Sequence, residues 1–353
     1  MLIHTSHTIY FFFYEGTPMA GKFRYVPLLR TKTGESAALG HLTPAAKARI
    51  FPVFHVVNKP PAKFADEIIA AWSGRPLALD GTYSMNLTGS PTDFTQMFDK
   101  LGKGKVGIIP SVESGSNANQ VATIAKLKDK YAPGLVLKVR QSDVANAQAW
   151  AAQQNWKPSD IDLIVDLGEI AAIDPALLEA VAVQSLQASI LGALPWRTVT
   201  LAGSSAPKDH GGLPAGRSLK PRIESKVWLG AYPKLKFQLD YGDYASGHPD
   251  LTDPPDFAIT RATVSARYAV DNSWIIMKGT PTKGKTGQPM EKQYRAHAKA
   301  LAAEKKFGGV SGCWADGQIK KIAGSSTVRS GNRTTWVTIA VNRHVSLVAD
   351  SLP

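Results

Sequence analysis

The sequence predicts a parallel α/β barrel of the (β/α)8 type. Eight short β-rich runs follow one another along the first 250 residues. Helical stretches, several of them alanine-rich, separate them. Most of the runs are apolar without strict alternation, as suits strands buried on both faces. At 353 residues and 44% hydrophobic, the chain can fill one large barrel or two ordinary domains. An open doubly wound sheet is the alternative, because periodicity cannot show closure.

The strand candidates, in order, are FRYVPLL from Phe23, IFPVFHV from Ile50, PLALD from Pro76 and VGIIPSV from Val106. GLVLKVR from Gly134, IDLIVDL from Ile161, RTVTLAG from Arg197 and KLKFQLDY from Lys234 complete the eight. Thr43 followed by PAAKAR reads as a capped helix. Val121, Ile124, Ala125 and Leu127 stand at helical spacing between Asn117 and Lys130. Ser142 to Gln154 is alanine-rich, and Asp174-Pro175 opens a helix reaching Leu191. The segment after Ser205, KDHGGLPAGRSLKPR, reads as a basic loop.

After Gly247 the rhythm changes. HPDLTDPPDF is turn-rich, and ATVSARYAV and SWIIMKG read as strands. A basic loop, an amphipathic helix from Gln293 to Lys306 and a strand at TTWVTIAV follow. The expected organisation is a barrel core over residues 19–246 and an elaboration packed on it over 247–353. Residues 1–18, with the aromatic run IYFFFY, are expected to be an extension ahead of a natural start at Met19. That run lacks the basic flank and length of a signal peptide.

Composition removes several classes. Cys313 is the single cysteine, which excludes internal disulfides and multi-cysteine metal sites. It reads as a small buried hydrophobe. No apolar run reaches the ~18 residues of a membrane span, and a cytoplasmic protein with no membrane partner is expected. G-x-S-x-G and H-E-x-x-H do not occur. Forty-one Lys and Arg against 28 Asp and Glu give +13, a charge that attracts polyanions.

In a parallel barrel, functional side chains stand at the C-terminal strand ends. Asp80, Glu113, Lys138, Arg140, Asp166, Asp240 and Asp243 occupy the expected ends, with Glu169, Ser204, Ser205 and Tyr241 beside them. These seven, with His344, are the candidate catalytic residues, and His55 also stands at a strand end. Carboxylates facing cations there suit acid–base work or a metal with a phosphate. Asp166 and Asp243 are the candidate ligands, and Mg²⁺ is the ion they would take. Lys208, Arg217, Lys220, Arg222, Lys278, Lys283, Lys285 and Arg333 are the candidate nucleic-acid contacts, several in glycine-rich loops.

Several motifs together resemble the phage-type beta protein family. They are YVPLL with K-x-G-E at Lys32 to Glu35, I-x-P at Ile50, GDY at Gly242 to Tyr244 and HP at His248. Arg267-Tyr268, WIIMKG from Trp274, the looser run Gly309 to Ile319, and G-N-x-T-x-W…N-R-H from Gly331 to His344 extend the likeness. Val345 stands where several members carry a second histidine. The family-like positions are Glu35, Asp166, Asp243, Trp274, Lys278, Asn332, Trp336, Asn342 and His344. The resemblance implies a setting in phage–host conflict or nucleic-acid metabolism, and no kinship with the single-strand annealing recombinase called Beta. Three readings follow. The first is a protein binding nucleic acid or a phosphorylated small molecule. The second is a metal-assisted phosphodiesterase or nuclease. The third is a non-enzymatic sensor or immunity subunit beside a neighbouring nuclease.

Overall fold

The computed structural model describes residues 23–353 apart from 59, 133, 191–194, 254–262, 285–286 and 310. The expectations for IYFFFY, Met19 and Lys285 lie outside the described residues.

The barrel is closed and wholly parallel. Its strands are β1 (Tyr25–Arg30), β2 (Val53–His55), β3 (Pro76–Asp80), β4 (Gly107–Glu113), β5 (Leu135–Arg140), β6 (Ile161–Glu169), β7 (Thr198–Ser204) and β9 (Asp240–Asp243). Each pairs with the next, and β9 returns to β1, where Tyr25 stands opposite Tyr241. Side chains alternate across the wall. Val26, Leu28, Val53, Ala78, Ile109, Val136, Ile164 and Ala202 pack together as the barrel interior. The alternate positions, such as Leu29, Phe54, Leu79, Leu137 and Val165, join a second cluster that the helices cover.

Local sequence explains the helices. Thr43 accepts from Ala46 N and starts α2 (Pro44–Arg49). Asn117 and Gln120 form a capping box on α6 (Ala118–Tyr131). Asp174 accepts from Ala176 N and Leu177 N ahead of α8 (Pro175–Ile190). Between β1 and β2 lies α1 (Thr33–Gly40), and α9 (Ile223–Ala231) precedes β9.

The eighth strand differs from its expected run. Lys234 ends a 3-10 turn, and the strand begins only at Asp240. Asp240 therefore opens its strand and sits at the barrel floor, opposite the mouth expected for it. There Arg24 donates from N and Nε to Asp240, at 3.0 and 3.2 Å, and from Nη2 to Thr198 at 2.6 Å. Arg197 forks onto Asp162 at 3.1 and 2.8 Å. Burial alone would raise the Asp162 carboxyl, but Arg24 and Arg197 outweigh it and hold it low.

A cap covers one side of the barrel. Its sheet runs β10 (Ser265–Val270), β11 (Ser273–Lys278), β8 (Gly216–Pro221), all antiparallel. The run expected as a loop after Ser205 thus supplies β8, which pairs residue for residue with β11. Helices α10 (Met290–Ala302) and α11 (Trp314–Gly324) pack on this sheet around Tyr268, Tyr294, Ile319 and Trp336.

TTWVTIAV, read as a strand, lies in the helix α12 (Arg333–Ser351). Asn332 and Thr335 make a capping box, and tertiary packing overrides the β-branched propensity. Trp336 and Ile339 of α12 belong to the cap core, whereas Val341, Val345 and Val348 belong to the barrel shell. This helix joins the two bodies.

Candidate active site

At the mouth, successive strand ends bring polar side chains inward. Arg30, His55, Asp80 and Ser111 stand in register on β1 to β4. Glu113 pairs across to Lys138, and Arg140 to Asp166. Glu113 Oε1 lies 2.5 Å from Lys138 Nζ. Burial opposes the Lys138 charge, but Glu113, Asp80 and Asp166 overcome it and raise its pKa. Asp80 accepts from Thr82 N at 2.9 Å and from Ser111 Oγ at 3.1 Å. Asp166 accepts from Tyr244 OH at 2.7 Å and from Gly168 N at 2.8 Å. Arg140 stands at the rim, its side chain 65% exposed and its Nη1 4.0 Å from Asp166.

His55 is the unusual member. It is 1% exposed, and neither ring nitrogen has a hydrogen-bond partner. Its Nδ1 is 3.8 Å from Asp80 Oδ2, too long for a hydrogen bond. Its ring lies nearly parallel to Tyr244, 6.2 Å away. Burial, then the Lys138 charge, push its pKa well down, so the imidazole is neutral at pH 7. The mouth thus holds a neutral proton acceptor, an ammonium and two held carboxylates within one buried ring.

The segment after β9 crosses this ring. Arg30 Nη2 donates to the carbonyls of His248 and Asp250, both at 2.7 Å. Ser204 Oγ donates to Gly247 O at 3.1 Å, and His248 Nε2 lies 3.2 Å from Glu169. From the cap, Arg267 reaches Ser246 O and Pro207 O and donates to His210 Nε2 at 2.9 Å.

Asp243 points the other way, out of the barrel wall. It accepts from Tyr25 OH at 2.5 Å, Tyr241 OH at 2.8 Å and Ala245 N at 2.8 Å. His344 Nε2 is 2.7 Å away and Arg222 Nη2 3.5 Å. Burial would raise this carboxyl, but His344, Arg222 and Tyr25 hold it at about 2. Burial lowers the His344 pKa below its ordinary value. His344 is therefore a neutral donor to an ionised Asp243. Trp274 stacks on His344 at 4.7 Å. All of these side chains are buried between barrel, cap sheet and α12. Asp166 and Asp243 lie on opposite faces of the wall and share no partner, so the expected common Mg²⁺ site does not form. Among the described residues no group of three or more His, Cys, Asp or Glu could hold a metal.

Other family-like residues tie the cap and its helices together or brace the barrel. Asn342 accepts from Ala315 N and donates to Ala38 O, both at 3.1 Å. Trp336 Nε1 donates to Ser330 O, and Lys278 Nζ to the carbonyls of Gly211 and Leu213. Glu35 accepts from Arg30 N, and burial pushes its carboxyl up to about 7. Asp166 alone of the nine lies in the mouth ring.

The expected nucleic-acid contacts do not form one set. Arg222 is buried against Glu224 and Asp243 and has no surface to offer. Lys208 pairs with Asp250 beside the mouth, and Arg217 with Glu304 on the cap. Lys220 and Arg333 are half-buried, and Lys283 is exposed.

Strand-end reasoning passed over Arg30, which closes β1 as His55 closes β2. It also passed over the run GTPTKGKT at 279–286, which has the G-x-x-x-x-G-K-[ST] spacing of a phosphate loop. The required context is missing: β11 is antiparallel, and α10 begins only at Met290. The first two amides of the run are engaged too, Gly279 N with Val264 O and Thr280 N with Gln293 Oε1.

A family model described as Beta protein matches residues 25–350. The chain belongs to this family. No curated protein matches it. Among solved structures, it is similar to a type I 3-dehydroquinate dehydratase from Clostridium difficile, with 8% identity and a TM-score of 0.39, over 64% of this chain and 85% of that one. The arginine decarboxylase of Paramecium bursaria Chlorella virus shares 9% identity at a TM-score of 0.34, over 64% of this chain and 59% of its own. Among the described residues of this family member, no helix is long and apolar enough to cross a membrane.

Proposed function

We propose that the barrel mouth is an active centre that binds a nucleotide phosphate, or a similar small phosphorylated group, and acts on it by acid–base chemistry. His55 carries this reading. A buried imidazole with both nitrogens unpaired is rare in a finished core, because an unsatisfied polar group costs about 1–3 kcal/mol. Such a group is well suited to meet a ligand. In this role neutral His55 accepts the proton, and Asp80 keeps the charge of Lys138 in place. Lys138 from the floor of the ring and Arg140 from the rim stabilise negative charge developing on the phosphoryl oxygens. Asp166, fixed by Tyr244 and Gly168, orients the group between them.

The buried ring suits a small ligand or a strand terminus, with Glu113, Arg140 and Glu169 offering surface at its rim. In the phage-conflict setting that the resemblance implies, nucleotides and strand ends are the natural ligands. No step is assigned to Mg²⁺, because the carboxylates at hand do not assemble a ligand set.

Calorimetric titration of nucleoside mono-, di- and triphosphates into the full chain tests the reading. Saturable binding is expected, weakened at least tenfold by Arg140→Gln with an unchanged melting temperature, and by Lys138→Gln in a variant that still melts cooperatively. Absence of binding across the panel, or binding indifferent to both substitutions, would overturn it.

A further inference from the structure

The positive charge of the chain is concentrated in one place. Residues 278–334 contain twelve Lys and Arg against three Asp and Glu, a net +9 of the total +13. The three acids are already engaged: Glu291 with Arg295, Glu304 with Arg217, and buried Asp316 with Arg343. Several of the cations are not. Lys292, Lys299, Lys305, Lys321 and Arg329 are exposed and make no ion pair among the described residues.

The cap helices give this charge an order. Lys292 and Lys299 lie two turns apart on one stripe of α10. They line a surface groove with Arg295 and with Ser326, which follows α11. Arg295 fixes the groove wall by donating to the carbonyls of Ile322, Ser325 and Val328 at the end of α11. Lys320 and Lys321 extend the charge along α11. Half-buried Trp314 opens α11 and stacks on exposed His41 at 3.9 Å and 4°. Lys320 Nζ stands 6.0 Å over the Phe307 ring.

We propose that the outer face of α10 and α11 docks the sugar–phosphate backbone of a nucleic acid. Regularly placed lysines beside a groove suit a chain of phosphates. A lipid surface fits less well. It would need apolar side chains to insert, and none of the exposed large hydrophobics belongs to α10 or α11. The surface is independent of the mouth and does not rest on its proposed chemistry.

The test is binding of the full chain to labelled single- and double-stranded DNA and RNA across a salt series. A variant carrying Lys292→Gln, Lys299→Gln, Lys320→Gln and Lys321→Gln is compared with a control carrying Lys63→Gln, Lys103→Gln, Lys126→Gln and Lys157→Gln. The control changes the same charge at exposed positions on the barrel. Neutralising four phosphate contacts lowers the slope of log K against log salt by about 3, at roughly 0.7–0.9 per contact. Affinity at 0.1 M salt should fall more than tenfold in the cap variant and little in the control. Equal losses in both variants would overturn the proposal, since diffuse charge would then account for binding. So would no binding of any nucleic acid by the wild type, or lysine-dependent binding only to phosphatidylserine vesicles.

Discussion

Asp243→Asn separates a structural from a catalytic role for a buried carboxylate that meets four hydrogen-bonding groups. The substitution keeps the shape and removes the charge. Four donors, from Tyr25, Tyr241, His344 and Ala245, converge on the carboxylate, and buried Arg222 lies 3.5 Å away. An amide offers one acceptor oxygen and points two hydrogens at groups that themselves donate. Breaking a buried pair from one side costs about 3–5 kcal/mol. With an unfolding entropy of about 2.1 cal/mol/K per residue, 353 residues give roughly 0.74 kcal/mol/K, and the melting temperature should fall by about 4–7 °C. Differential scanning calorimetry at pH 7 reads this directly. A shift within about 1 °C would refute the reasoning and return Asp243 to the list of catalytic candidates. The pH dependence has a definite sign. Depression of the carboxyl from 3.8 to about 2 supplies stability that is present above pH ~4 and lost as pH falls towards 2. It amounts to about 2 kcal/mol at 1.36 kcal/mol per unit, and the Asn variant should lack it. His344, also depressed, adds a loss that begins as pH falls below 6.5.

Other perturbations probe other joints. Arg24→Met leaves Asp162 and Asp240 buried without their shared cation and should cost about 3–5 kcal/mol, read as a lower urea midpoint; an unchanged midpoint would show that the floor tolerates the charges. Gly242→Ala puts a Cβ 2.9 Å from Ala202 Cβ and Thr200 Cγ2 inside the barrel and should cost about 1–3 kcal/mol by the same assay. Glu35 is raised to about 7, so its contribution is complete below pH 4.5 and lost as pH rises through 7. Glu35→Gln keeps the acceptor for Arg30 N, so its melting temperature should change less than the wild type's between pH 5 and 8. Parallel curves would count against a buried neutral carboxyl.

The barrel was legible because parallel strands advertise themselves as short apolar runs between helices, and seven of the eight landed close to their sequence positions. The eighth was misplaced because KLKFQ looks β-like, while only Asp240 to Asp243 find partners on β1 and β7. TTWVTIAV misled for the reverse reason: its β-branched residues serve a helix packed on two cores. Strand-end logic found Asp80, Glu113, Lys138, Arg140 and Asp166 for the mouth. It failed for Asp243, because a one-residue step along a strand reverses the face. The joint around Asp243, Trp274 and His344 was visible in the motifs only as a set of residues without a role, since their meeting depends on how α12 and the cap sheet close on the barrel. The basic residues misled most. Arg222, Lys208 and Arg217 look alike in sequence, and only the fold shows one buried and two paired, while Lys292, Lys299 and Lys321 of α10 and α11 stay exposed with no ion pair among the described residues.

Histidine-resolved NMR during a nucleotide titration tests the central claim, that the mouth is the functional centre and the Asp243 joint is scaffold. With eight histidines in the chain, His55→Gln and His344→Gln assign both signals by difference. Saturable movement of the His55 imidazole signal, lost in Lys138→Gln, with the His344 signal unmoved, is the predicted result. Movement of His344 with a silent His55 would contradict the account and place the chemistry in the joint between barrel and cap.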